Sequence, residues 1–175
     1  MATPRFPIDE APHPMLARKT MEDALTVMHG GPPPFQWIEE DGRSLIGCYA
    51  PLCYSPVMAR QFFSMAKAGY EPAILKPRNR ELAILGLCSI LDAPYIVYCH
   101  RAVGARDGLT ENQYDEGLAG RTPQGLSEEE ETAYSLGRKL TALTGPLDEV
   151  TWQEASSKMA KSEIVGIVNI IAGYR

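Results

Sequence analysis

The chain has 175 residues, long enough to bury one good apolar core and too short for two domains of ordinary size. Its 45% hydrophobic and 22% charged residues are those of a globular protein, and 17 basic against 22 acidic residues exclude the electrostatic footprint of a nucleic-acid or anionic-membrane binder. The expected partner is a small-molecule substrate or another protein chain.

The first stretch, residues 1–18, is proline-rich and has no periodicity, so it reads as an extended arm ahead of a single domain over 19–175. It contains no apolar segment of signal-peptide length. His13 sits between two prolines and is expected to be solvated. A short helix over 19–28 ends at Gly30-Gly31-Pro32-Pro33-Pro34, with His29 as a capping residue. Residues 35–54 carry no decisive pattern: Leu45-Ile46-Gly47-Cys48-Tyr49 fits one turn of helix or a short extended piece. Pro56 opens a helix, and Gly69 stands where a left-handed C-cap would close it.

Pro77 is placed to start a helix over 78–91 whose apolar residues surround the axis, as in a helix buried on all sides. Asp92 and Pro94 punctuate the chain and start a second helix, 95–107, closed by Gly108-Leu109 in the Schellman manner. The two form a helical hairpin. Thr110-x-x-Gln113 and Ser127-x-x-Glu130 are capping boxes opening helices to about Leu118 and Thr144. Two more follow, over 151–159 and 162–174. The last is nearly all apolar and is expected to be buried in the core or against another subunit, but its eleven or so apolar residues fall short of the roughly twenty of a membrane span. No strand pair has credible turn chemistry, so the expected class is all-α.

Cys48, Cys53, Cys88 and Cys99 form no C-x-x-C and are too sparse for a disulfide framework, which points to a reducing cytoplasm. His13, His29 and His100 have no metal-site spacing, and phosphate-loop, zincin and G-x-S-x-G signatures are absent. No metal and no cofactor are expected. What remains is the hairpin. Glu81 lies about 15 Å down its first helix from the turn, and His100 about 10 Å down the second. At the usual antiparallel helix spacing of about 8 to 10 Å their side chains can meet. A buried carboxylate holds an imidazole in one tautomer and keeps it basic, ready to move a proton at a carbon acid or leaving group; a purely structural pair is the alternative.

The run Arg78-Asn79-Arg80-Glu81-Leu82-Ala83-Ile84-Leu85, then Ala93-Pro94-Tyr95-Ile96-Val97-Tyr98-Cys99-His100-Arg101-Ala102, then Gly108-Leu109-Thr110, resembles the core motif of the carboxymuconolactone decarboxylase and AhpD-like alkylhydroperoxidase superfamily. That motif reads R-x-R-E-L-x-I-L, then Y-E-W-x-x-H-x-x-x-A, then G-L-S/T. The resemblance implies an AhpD-like all-helical bundle, a trimer, hexamer or dimer, and an active site around Glu81 and His100. It also has departures. The peroxidase dithiol would fall at Ala93 and Ile96, and the acid of the decarboxylase-like branch also falls at Ile96. An apolar pocket is therefore expected, lined by Tyr95, Ile96, Tyr98 and Cys99. Arg78 and Arg80 flank Glu81 and are candidates to receive a substrate carboxylate, Arg78 first, although surface arginines are the commoner reading of both. The expected activity is cofactor-independent decarboxylation, elimination or isomerisation of a small organic acid, lactone or polyketide-like metabolite. A thiol peroxidase using Cys99 with Cys88, and a non-catalytic oligomeric binding protein, are the alternatives.

Overall fold

Pro77 begins the helix around which the C-terminal half is organised. The computed structural model describes residues 5–175, and among them there are nine α-helices and no sheet; Ile38 and Leu45 form an isolated antiparallel bridge. The class is all-α. The chain divides into two compact units between Ala68 and Gly69, whereas the sequence suggests a boundary after residue 18.

In the N-terminal unit a 3-10 turn at Ile8–Glu10 precedes α1 (Pro14–His29). The helix starts five residues before the expected position. Proline tolerates the first helical turn, and the apolar pattern already runs back from Leu25 through Ala24 and Met21 to Ala17, all buried. Residues 14–18 of the expected arm are thus helical. Gly30 closes α1 in the left-handed region, φ 64°, and His29 packs edge-on to Phe35 at 5.5 Å. The ambiguous stretch contains both forms in succession. Leu45 is in the extended bridge, and Tyr49–Leu52 make a single helical turn, α2. Asp41 organises the intervening turn by accepting from the Arg43 and Ser44 amides. Next comes α3 (Pro56–Gly69).

Gly69 does not act as the expected left-handed cap, since its φ is not positive. It lies close to the last helix: a Cβ there would lie 2.7 Å from the terminal methyl of Ile170, which would have to shift.

The C-terminal unit is built on α4 (Pro77–Cys88), in which every residue from Asn79 to Cys88 is buried. The chain leaves it through a turn at Ser89–Leu91 and returns in α5 (Pro94–Arg106), giving the expected hairpin. Gly108 (φ 87°) closes α5: its amide bonds to the Ala105 carbonyl and that of Leu109 to Gly104, the two bonds of a Schellman motif. Both capping boxes are present, on α6 (Glu111–Leu118) and α7 (Glu128–Ala142). α8 (Glu149–Lys158) starts two residues before the expected position, capped by Asp148, which accepts from the Thr151 amide. The last helix is α9 (Lys161–Tyr174).

The most extensive packing partner of α4 is α7, not its hairpin mate. Two glycines permit this. A Cβ on Gly137 would lie 2.1 Å from the Ala83 carbonyl oxygen, and one on Gly86 would lie 2.4 Å from that of Tyr134. The backbones touch where no side chain intervenes, which fixes α4 and the residue it carries at position 81. α9 closes the core with Ile164, Ile167, Ile170 and Ile171, while Val165 and Val168 stand 57% and 40% exposed. Within the single chain its apolar surface is therefore split between the core and an outer face carrying Val165 and Val168. Among the described residues no helix is long and apolar enough to cross a membrane.

Candidate functional site

Glu81 is completely buried in the first turns of α4, and His100 is 4% exposed at the middle of α5. The antiparallel hairpin brings them together as its geometry requires: His100 Nδ1 lies 2.8 Å from Glu81 Oε2. The other carboxylate oxygen, Oε1, accepts from Arg80 Nε at 2.8 Å. Arg80 Nη2 in turn donates to Asp107 Oδ2 at 2.8 Å, and the Tyr70 ring lies 3.8 Å from the guanidinium centre. On the far side of the imidazole, His100 Nε2 is 2.7 Å from the Tyr174 hydroxyl, with the two rings edge to face. Five polar side chains, from Asp107 through Arg80, Glu81 and His100 to Tyr174, thus form one continuous chain of hydrogen bonds through the core.

The protonation pattern follows from the donors and acceptors. Burial alone pushes the Glu81 carboxyl up, but the bonds and charges of His100 and Arg80 outweigh it and hold the group below its ordinary value. An ionised carboxylate only accepts, so His100 Nδ1 carries the hydrogen. When the ring is neutral, Nε2 is then the acceptor and the Tyr174 hydroxyl donates to it; when the ring is protonated, Nε2–H donates to that hydroxyl. Asp107, half-buried at the other end, is raised by burial, which outweighs the opposing pull of Arg80.

The remaining expected residues are distributed otherwise. Arg78 is engaged within the fold: its Nε donates to Glu130 at 2.5 Å and its Nη1 to the Gly108 carbonyl at 2.6 Å, clamping α4 to α7 and to the end of α5. Arg80, expected at the surface, is 3% exposed because Glu81, Asp107 and Tyr70 surround it with compensating groups. Tyr95 and Tyr98 do share a face, with ring centres 6.1 Å apart. Tyr98 is 49% exposed and sits about 200° round the helix from His100. Ile96 packs against the core and Cys99 is buried. Cys88 carries a thiol that burial, with the nearby Glu81 charge, pushes up to about 12. Such a thiol supplies almost no thiolate at neutral pH. Among the described residues no three His, Cys, Asp or Glu side chains come together as metal ligands.

No family model, curated protein or solved structure matches this chain.

Tyr174, Asp107 and Tyr70 were not singled out as site residues in the sequence. Asp107 read as a helix end and Tyr174 as the tail of an apolar helix; both functions are real, and neither signals a side chain that reaches inward. The one available hint was polarity. Tyr174 is the single hydroxyl-bearing residue in the last three turns of a helix that otherwise offers isoleucine, valine, glycine, alanine and one asparagine.

Proposed function

We propose that this protein is a divergent relative of the carboxymuconolactone decarboxylase and AhpD-like superfamily. In this reading it is a cofactor-independent lyase or isomerase that uses His100, supported by Glu81, to move a proton on a small organic acid, lactone or polyketide-like metabolite. The observation that carries the reading is the 2.8 Å bond between His100 Nδ1 and a wholly buried, ionised Glu81. Orienting one ring nitrogen with a buried anion makes the other nitrogen a directed base and stabilises the imidazolium that forms when it takes a proton. Decarboxylation, elimination and isomerisation all require a placed proton of this kind.

The thiol peroxidase alternative loses support from Cys88, whose thiol stays protonated at neutral pH. An oligomeric assembly, and residence in a reducing cytoplasm, belong to the same proposal. They are supported by the exposed Val165 and Val168 on α9 and by four free cysteines. Turnover of a panel of carboxylated lactones, β-keto acids and enolisable ketones by the wild-type chain and by His100→Ala tests the activity. Measurable turnover that disappears in the variant is expected; turnover surviving unchanged in His100→Ala ends the proposal.

A further inference from the structure

His100 is not the group a substrate would meet. Its side chain is 5% exposed, Nδ1 is occupied by Glu81, and Nε2 is covered by the Tyr174 hydroxyl at 2.7 Å. Tyr174 itself is only partly buried, so of the two groups the phenol is less covered than the imidazole. A phenol that donates its hydrogen to an imidazole still carries lone pairs on the oxygen and gains negative character as the proton moves away.

We propose that the Tyr174 phenol oxygen is a further catalytic residue, the atom that meets the substrate, exchanging protons with a substrate carbon on one side and with His100 Nε2 on the other. The proposal rests on the acid–base reading above and deepens it. In the forward step a C–H bond beside a substrate carbonyl breaks and its electron pair moves into the carbonyl, leaving an enolate. The proton goes to Tyr174 Oη, the phenol's own proton goes to His100 Nε2, and the imidazolium rests against the Glu81 carboxylate. The reverse movement returns a proton to the same or a neighbouring carbon. Glu81 sets the direction of the whole array: as a carboxylate it obliges Nδ1 to keep its hydrogen, which in the neutral ring, the form that can act as a base, makes Nε2 the acceptor from Tyr174.

That dependence gives a test needing no substrate. An arylsulfonyl fluoride reacts with an activated phenol as the oxygen bonds to sulfur, fluoride leaves, and the phenolic proton passes to the base. The full-length protein and its Glu81→Gln and Tyr174→Phe variants are treated with p-toluenesulfonyl fluoride at neutral pH, and the labelled peptides are followed by mass spectrometry. The half-exposed Tyr98 serves as internal reference. In Glu81→Gln the amide can donate to Nδ1, so the ring flips its tautomer and Nε2–H donates to the phenol, which is no longer activated.

Tyr174 is expected to react faster than Tyr98 in the wild-type protein. Its labelling should fall by about a hundredfold in Glu81→Gln, the low end of what a placed general base contributes. Tyr98 should be unaffected and the Tyr174→Phe peptide unlabelled. Equal Tyr174 labelling in wild type and Glu81→Gln, or none in either, overturns the proposal. Should Glu81→Gln lose its helical circular dichroism, the wild-type comparison decides: Tyr174 reacting no faster than Tyr98 also overturns it. Turnover on the substrate panel without Tyr174 reactivity removes this inference and leaves the acid–base reading standing. Reactive Tyr174 with no turnover on any substrate of the panel removes the acid–base reading and, with it, the catalytic role of Tyr174, leaving only an activated phenol.

Discussion

Replacing Glu81 in two ways separates its charge from its hydrogen bonds. In Glu81→Ala, Arg80 Nε and His100 Nδ1 both lose their acceptor in a place no water reaches. Each orphaned buried donor costs about 1–3 kcal/mol, and removing one partner of a buried ion pair costs about 3–5 kcal/mol in total. Arg80 retains Asp107, so the expected loss is near about 3 kcal/mol, a large share of a domain stability of about 5–15 kcal/mol. Glu81→Gln behaves differently. Its amide oxygen still accepts from Arg80 and its NH2 donates to His100 Nδ1 once the ring has changed tautomer, leaving every group paired. The cost is then the difference between a charge-assisted and a neutral acceptor for Arg80, about 1 kcal/mol. Urea unfolding followed by circular dichroism measures both losses, and 15N chemical shifts of His100 report the tautomer, hydrogen on Nδ1 in wild type and on Nε2 in the glutamine variant. Equal stability of the two variants, or an unchanged tautomer in Glu81→Gln, refutes the reasoning.

Three other perturbations test separate parts of the structure. The Tyr114 hydroxyl is buried without a hydrogen-bond partner, so Tyr114→Phe should be neutral or stabilise by up to about 1 kcal/mol; a thermal midpoint that drops clearly shows that the hydroxyl has a partner. Gly137→Ala drives a methyl into the Ala83 carbonyl and should cost at least about 1–3 kcal/mol in urea titrations, and an unaltered midpoint would contradict the close α4–α7 contact. Glu129 is held below its ordinary value by its bond to Lys76; for Glu130, burial raises the value but the Arg78 and Ser127 bonds more than offset it. Below about pH 4.5 the unfolded chain binds protons at these positions more readily than the folded one, so their contribution is complete above that pH and lost as pH falls through the depressed folded values. Asp107, shifted the other way, partly opposes this. Glu130→Gln keeps the capping box but not the charge, and should flatten the acid limb of a stability-versus-pH curve; an unchanged slope counts against the ion pair with Arg78.

The local signals in this sequence were easier to read than the distant ones. Capping boxes at Thr110 and Ser127, the prolines opening α3, α4 and α5, and the Schellman close at Gly108 each involve residues within one turn of one another, and each is found where the spacing put it. The meeting of Glu81 and His100 was legible for a related reason: a short turn between two helices leaves little freedom in the offset along them. Nothing of that kind ties Tyr174 to His100 across 74 positions, or sets α7 against α4. The latter did leave a trace in Gly86 and Gly137, glycines in the interior of otherwise sound helices, where a packing reason is the natural explanation. Arg80 was misjudged because burial of an arginine depends on compensating charges contributed by Asp107, 27 residues further on. For Tyr95 and Tyr98 the shared helical phase was legible, but phase alone does not say which face turns inward, and Tyr98 is half-exposed.

Arg80 also determines where a proton can go. Guanidinium does not give up its hydrogens in the accessible pH range, so it joins Glu81 to Asp107 electrostatically while insulating one from the other for proton traffic. With Glu81 sealed from solvent, a proton lodged on His100 has the Tyr174 hydroxyl as its hydrogen-bonded way out among the described residues. In the proposed reading, a proton taken from a bound carbon acid is then either returned to the same molecule or passed out by way of Tyr174, and hydrogen–deuterium exchange into that carbon acid would report the ratio of the two.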